Sequence, residues 1–329
     1  MSDNRARQTQ SREHGTLTGI LLLTGGLFLF SIQDVVIKTF SDRYAVMQIV
    51  FIRSVVAVTL LMAVLLLIGS SHKLRLHKPW PIIIKGSCGF LSYTTYYLAM
   101  AALPIADVAT ITFSAPIMVT AISAFILKEQ VGPRRWFAVL VGFIAVILVV
   151  GPKGHFHNPA IVLALLAAFT YAISTITTRF IDPRDEAITA AFYSLLVFLV
   201  WSVIAVLVIE VFGPESASAD VSLQFLLRDW ELPVALDFAL IMLLGVIAIF
   251  GFYCLTKAYM VAEFSAVAPF EYTYIVWGVL FGFIFWHELP TPATFVGIGL
   301  LVASNVYIIH RERIRNHRLA IRRPRTPRR

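Results

Sequence analysis

Charged side chains stand inside stretches made mostly of apolar residues: Asp34, Lys38 four residues on, Arg53, Lys85, Lys257, and Glu271 just past Pro269. A charge at the centre of a bilayer costs about 2.5–3.5 kcal/mol on insertion scales, so each of them needs a reason to be there. Asp34 and Lys38 share one face of a helix, which permits a local ion pair. Arg53 should reach a similar depth, so Asp34 with Lys38 or Arg53 can form a cluster that holds the fold or opens for a substrate. In that cluster Arg53 and Lys38 read as structural charges and Asp34 as a cavity residue. Glu271 offers more chemistry. A carboxyl at mid-depth can exchange a proton with either face of a membrane or bind a cationic or hydrogen-bonding part of a substrate. It can also be held quietly by a neighbouring hydroxyl or by Lys257, although Lys257 lies near the end of its run, where a lysine snorkels. Asp107, Glu129, Glu263 and Glu288 fall at the ends of runs, where interfacial or helix-dipole roles are expected.

Hydroxyls and aromatic rings cluster around these charges. Ser92-Tyr93-Thr94-Thr95-Tyr96-Tyr97 form one stripe, Tyr171, Ser174 and Thr178 share a helix face, and Tyr272, Tyr274 and Trp277 surround Glu271. Such a lining suits a planar, polar organic molecule; helix–helix hydrogen bonding and interfacial belting compete as explanations for single residues. The candidate substrate-binding set is therefore Asp34, Tyr93, Tyr96, Tyr171, Ser174, Glu271, Tyr274 and Trp277, together with the helix-breaking Pro116 and Pro269. Asp34 and Glu271 are also the candidates for coupling. No phosphate-binding Gly-x-x-x-x-Gly-Lys-Ser/Thr loop is present, which argues against direct nucleotide drive. Neither metal-ligand spacing nor a protease-like nucleophile arrangement is recognisable, so no cofactor, no metal and no catalytic residue is expected. Cys88 and Cys254 both lie in apolar runs and form no disulfide framework.

The elements that must position these groups are ten runs of about 20 mostly apolar residues, each long enough to cross a hydrocarbon core as a helix. They cover residues 17–40, 45–68, 82–103, 105–127, 133–151, 160–181, 187–211, 236–260, 262–285 and 292–310. The first run follows Arg5, Arg7 and Arg12 but is too long for a signal-peptide core, and it carries Asp34 and Lys38; it reads as a retained helix. The longest connection, about 212–235, contains Leu223–Trp230, either an amphipathic turn at the membrane surface or an acidic loop. With the N-terminus inside, 20 of the 27 Lys and Arg residues fall on the cytoplasmic side, so both termini are predicted cytoplasmic. The basic end, 311–329, suits contact with anionic lipid better than with nucleic acid. Nothing in the sequence decides between a monomer and a homodimer.

The two halves repeat each other in order. A shift of 141 residues pairs Phe28 with Phe169, Ile32 with Ile173, Lys38 with Arg179 and Phe51 with Phe192; shifts of 156 and 159 pair Ala102 with Ala258 and Glu129 with Glu288. Five spans per copy is an odd number, so the second copy enters the membrane from the opposite side. Inverted repeats of this kind are a transporter architecture, and paired helix interruptions such as Pro116 and Pro269 point to its binding site. The organisation expected is a tail at 1–16, a first repeat at 17–151, a second at 160–310 and the basic tail.

Phe30-Ser31-Ile32-Gln33-Asp34, Phe51-Ile52-Arg53, Phe113-Ser114-Ala115-Pro116 and Lys128-Glu129 resemble an EamA repeat. So do Ala268-Pro269-Phe270-Glu271-Tyr272-Thr273 and Glu288-Leu289-Pro290. The chain is identified on these residues, over about 17–310, as resembling the drug/metabolite transporter superfamily. The resemblance implies an all-α membrane protein of ten helices, an inverted five-plus-five arrangement, and a central cavity lined mainly by helices 1, 3, 4, 6, 8 and 9. The Asp34, Lys38 and Arg53 pattern is similar to branches that take up S-adenosylmethionine or riboflavin. Ser194 stands where the second copy would repeat Arg53, so any role of that arginine is not duplicated. The expectation is a bacterial inner-membrane secondary transporter of a small organic metabolite working by alternating access. Export of amino acids or amphiphilic metabolites, or uncoupled facilitation, is the alternative.

Overall fold

Leucine, isoleucine, valine, alanine and phenylalanine fill the runs, and helices are the elements that satisfy their backbone polar groups without water. The computed structural model describes residues 2–67, 69, 75–112, 114–126, 158–212, 220–262 and 268–300, isolated helical residues between 136 and 148, and residues 302–303 and 307. Side chains are described from residue 16 onward, and Pro116 and Pro269 by backbone alone. The helices are α1 (Ser2–Phe40), α2 (Val46–Leu67), α3 (Pro79–Ala102), α4 (Ile105–Thr112), α5 (Ala115–Ile126), α6 (Ala160–Thr177), α7 (Ala187–Phe212), α8 (Val221–Leu227), α9 (Ala235–Val261) and α10 (Thr273–Trp286). A further helix, α11, covers 292–300. Five of them are long and apolar enough to cross a membrane: Thr16–Phe40, Val46–Leu67, Ala160–Phe180, Ala187–Val211 and Ala235–Val261. Most of the fifth run and the basic tail lie outside the described residues, as do Glu129 and Glu263.

Local chemistry sets the helix ends. Pro79 opens α3 at a position whose N–H would have no partner anyway. Pro104 forces the residue before it, Leu103, into extended backbone that closes the same helix. The fourth run is broken where Pro116 cannot supply an N–H to the preceding turn: α4 stops at Thr112 and α5 restarts at Ala115. In the ninth run the described residues contain a 3-10 turn, Ala268–Tyr272, that includes Pro269 and passes into α-helix at Thr273. In the long connection, of which 213–219 lie outside the described residues, the short helix α8 forms. Asp220 caps α8 through the N–H groups of Ser222 and Leu223. Phe225 is buried, and the Ser222 hydroxyl donates to the Leu98 carbonyl at 2.8 Å, which docks α8 on α3.

The most extensive helix pairings are α3 with α6 and α1 with α9, followed by α2 with α7, α2 with α9 and α3 with α7. Under the repeat, α1 corresponds to α6, α2 to α7 and α3 to α9. The pairing α1–α9 therefore maps onto α6–α3, α2–α9 onto α7–α3, and α2–α7 onto itself, as an approximate two-fold between the halves requires. Close packing follows the same rule. A Cβ on Gly245 of α9 would lie 2.8 Å from the Cβ of Val56, and one on Gly86 of α3 would lie 2.8 Å from the Cβ of Val197. Val56 and Val197 are themselves 141 apart, the repeat shift. Small residues let membrane helices approach where no hydrophobic effect drives them together. The Gly245 Cβ would also meet the Arg53 carbonyl at 2.9 Å, so backbone has to move. Gly245→Ala should cost about 1–3 kcal/mol through overpacking, read as a lower thermal transition of the purified protein. Around this centre Leu21, Val64, Leu207, Val211 and Phe285 point outward and exposed, a shell that suits lipid and not water.

Candidate functional site

A cavity of about 360 Å³ lies between the halves, within the range of small-molecule sites. One wall sets Gln33 and Asp34 of α1 against Tyr93, Tyr96 and Tyr97 of α3. These tyrosines lie three and four residues apart and so share a helix face. Tyr171 and Ser174 come from α6, Thr256 and Tyr259 from α9, and Glu271 and Tyr274 from the broken ninth run.

Asp34 is buried and held by phenols. Tyr97 donates to its Oδ1 at 2.6 Å, Tyr96 to its Oδ2 at 3.3 Å, and Tyr274 to the same Oδ2. Tyr97 in turn accepts from the Gln33 amide at 2.9 Å, and Gln33 Oε1 accepts from Arg53 Nη1 at 2.8 Å. Arg53 is fully buried, its guanidinium 4.1 Å from the centre of the Tyr93 ring and 5.6 Å from that of Phe198. Positive charge thus reaches Asp34 through a relay of two neutral side chains. The expected ion pairs of Asp34 with Lys38 or Arg53 do not form. Lys38, one turn closer to the helix end, extends outward to Glu288, with Nζ 2.8 Å from Oε1 and 5.1 Å from the centre of the Trp286 ring.

Glu271 is buried and accepts a hydrogen bond from Tyr259, so a hydroxyl holds it and Lys257 does not. Neither Asp34 nor Glu271 has a cationic side chain in contact among the described residues. Two of the carboxylates assigned to helix ends do more than meet a dipole. Glu288 joins α1 to the loop after α10 and also accepts the Ile105 N–H at 3.3 Å. Asp107 is buried and accepts from Thr294 at 2.8 Å.

Of the sequence-derived set, Asp34, Tyr93, Tyr96, Tyr171, Ser174, Glu271 and Tyr274 line one cavity. Trp277 does not line it; its ring packs edge-on to Phe28 at 4.9 Å and stacks on Phe281. Pro116 and Pro269 lie at the two backbone breaks beside it. Gln33, Tyr97, Tyr259 and Lys85 also line the cavity and were missed. The spacing of Tyr93, Tyr96 and Tyr97 carried a signal for Tyr97, whereas nothing in the sequence tied Tyr259 to Glu271.

A cavity between two pseudo-equivalent bundles can be compared with known proteins. The sequence profile of the EamA-like transporter family matches residues 17–151 and again 158–309. The chain belongs to the EamA-like transporter family. It is accordingly a multi-pass inner-membrane transporter with the ten-helix drug/metabolite transporter fold, and not an enzyme. The EamA repeat also explains why the helix pairings fall into equivalent sets. The chain is 24% identical over 297 residues to an S-adenosylmethionine uptake transporter of Rickettsia prowazekii (strain Madrid E), covering 90% of this chain and 94% of the relative. It is 26% identical over 289 residues to the pseudopaline exporter CntI of Pseudomonas aeruginosa (strain PAO1), covering 87% and 94%. It is 24% identical over 313 residues to a riboflavin transporter of Vibrio cholerae serotype O1, covering 94% and 98%. A crystal structure 19% identical in sequence superposes with a TM-score of 0.62 over 92% of this chain and 99% of its own, a likeness of fold.

Proposed function

We propose that this EamA-family protein is a secondary carrier that moves a vitamin-like or nucleoside-like metabolite by alternating access, with Asp34 and Glu271 as its recognition and coupling carboxylates. The observation that carries this reading is the cavity itself: tyrosine-walled, set between pseudo-equivalent halves, and holding two carboxylates with no cationic side chain in contact among the described residues. Residues 17–151 and 160–310 are the two moving repeats. The tails at 1–16 and 311–329 lie in the cytoplasm, the second against anionic lipid.

With that orientation the cavity runs from mid-membrane toward the cytoplasm, because its lining on α3 extends from Tyr97 to Lys85 and, just past the end of α6, reaches Thr178. No lining residue lies beyond Asp34 on α1, and one turn further the Lys38–Glu288 pair ties the halves together. That pair is the outer closure of an inward-open state. Riboflavin and S-adenosylmethionine are the first candidates for cargo, given two of the relatives above; the exporter relative keeps outward movement as the second reading of direction.

Purified protein in proteoliposomes should accumulate one of these compounds, chemically intact, above its external concentration when a pH gradient is imposed. Flux that stops at equal concentrations would make the protein an uncoupled facilitator. Absence of flux for both compounds would remove these candidates.

A further inference from the structure

The Lys85 end of the cavity carries a feature that charge recognition by Asp34 and Glu271 leaves unused. Lys85 lines the cavity two turns of α3 below Tyr93, and its ammonium donates to the Thr178 hydroxyl at 2.9 Å. No carboxylate pairs with it among the described residues. The local backbone fixes its place: the Ser174 hydroxyl donates to the Lys85 carbonyl at 3.0 Å, clamping α3 to α6 at this level. Arg179 lines the same end. A lysine at this depth could have turned along α3 to water; here it is turned to a hydroxyl on the opposite wall.

The opposite charge sits at the other end. Asp34 is bound by Tyr96 and Tyr97, eleven and twelve residues beyond Lys85 on the same helix, or about 17 Å along the axis at 1.5 Å per residue. Glu271 lies between, within electrostatic reach of Tyr171, which precedes Thr178 by seven residues or about 10 Å of helix. The cavity is therefore a dipole without its complement, negative at mid-membrane and positive toward the opening, with aromatic walls that accept a cation on their faces.

We infer that Lys85 forms a carboxylate-binding subsite, and that the cargo is an elongated dipolar molecule with a carboxylate at the Lys85–Thr178 end and a cationic group toward Glu271 and Asp34. This rests on the carrier reading and narrows it. An ammonium beside a hydroxyl matches a carboxylate, and charge complementarity along the cavity fixes which way round the cargo enters.

Two probes that differ only in the carboxylate test this: S-adenosylmethionine and its decarboxylated form, with riboflavin as a probe lacking both charges. Affinities are measured on the purified full chain by titration calorimetry. The wild type should bind the carboxylated probe about tenfold or more tighter than the decarboxylated one. Lys85→Gln should weaken the carboxylated probe by about tenfold and leave the other within about twofold, and Lys85→Arg should restore most of the preference. Equal wild-type affinities for the pair, or equal losses for both in Lys85→Gln, would overturn the assignment. Binding of riboflavin alone, with uphill accumulation intact, would remove the dipolar cargo and leave the carrier standing. Failure of all three to bind a protein with a normal thermal transition would count against both.

Discussion

Glu271→Gln should abolish accumulation driven by a pH gradient, by tenfold or more, while exchange of labelled for unlabelled substrate continues. The amide keeps the volume and can still accept the Tyr259 hydrogen bond, so the wall of the cavity is preserved. What is lost is the carboxyl that, among the described residues of the ninth run, lines the cavity and can take up and release a proton. A carrier coupled through that proton becomes an exchanger: the loaded protein still reorients, but the gradient no longer performs work on the cargo. Glu271 is placed to do this because it sits beside the backbone break at Ala268–Tyr272, where the chain changes helical type. Among the described residues its side-chain partner is a phenol, which leaves the carboxyl able to change protonation without breaking an ion pair. Full accumulation by Glu271→Gln, measured in the same vesicles, would move coupling away from this residue and leave Asp34 as the carboxylate to test next. Because exchange is read in parallel, a variant that merely misfolds is recognised by losing both.

Span number and the paired breaks were legible from the sequence because they rest on one-dimensional signals: apolar run length, proline, and a register of matches between halves. The cavity residues were legible where helical spacing put them on one face, as for Tyr93 with Tyr96. Partners across helices were not. Asp34 and Lys38 share a face, yet depth separates them: the carboxylate finds three phenols at mid-membrane while the ammonium reaches Glu288, 250 residues away. The relay through Gln33 was equally invisible, since a glutamine in an apolar run reads as a polar anomaly until the side chain that needs its oxygen is known. Lys85 was counted as a charge within a span and went no further, because only the position of Thr178, just past the end of α6, shows that it turns into the cavity.

Gln33→Leu should cost about 2–3 kcal/mol, the largest stability loss expected from a single polar substitution in the cavity wall. Arg53 is fully buried, and among the described residues its Nε and Nη2 have no hydrogen-bond partner and Gln33 Oε1 is its one acceptor. The rings of Tyr93 and Phe198 stabilise the charge through their faces but accept no conventional hydrogen bond. Removing Gln33 leaves the guanidinium dependent on those rings alone and takes from Tyr97 the donor that fixes its hydroxyl toward Asp34. A buried charge stripped of its partner is far worse than a site with neither charge nor partner. The double variant Gln33→Leu with Arg53→Met should therefore recover most of the loss, and thermal unfolding of the four proteins of this cycle gives the coupling directly. Additive losses, or a Gln33→Leu protein as stable as wild type, would show that the rings hold Arg53 unaided. Ser194, the repeat-equivalent of Arg53, is consistent with the cycle's logic: it satisfies itself by donating to the Ala190 carbonyl at 2.7 Å, so the second half needs no relay. In the half that carries Asp34, the arginine is placed to orient that carboxylate's phenol shell through Gln33 and Tyr97.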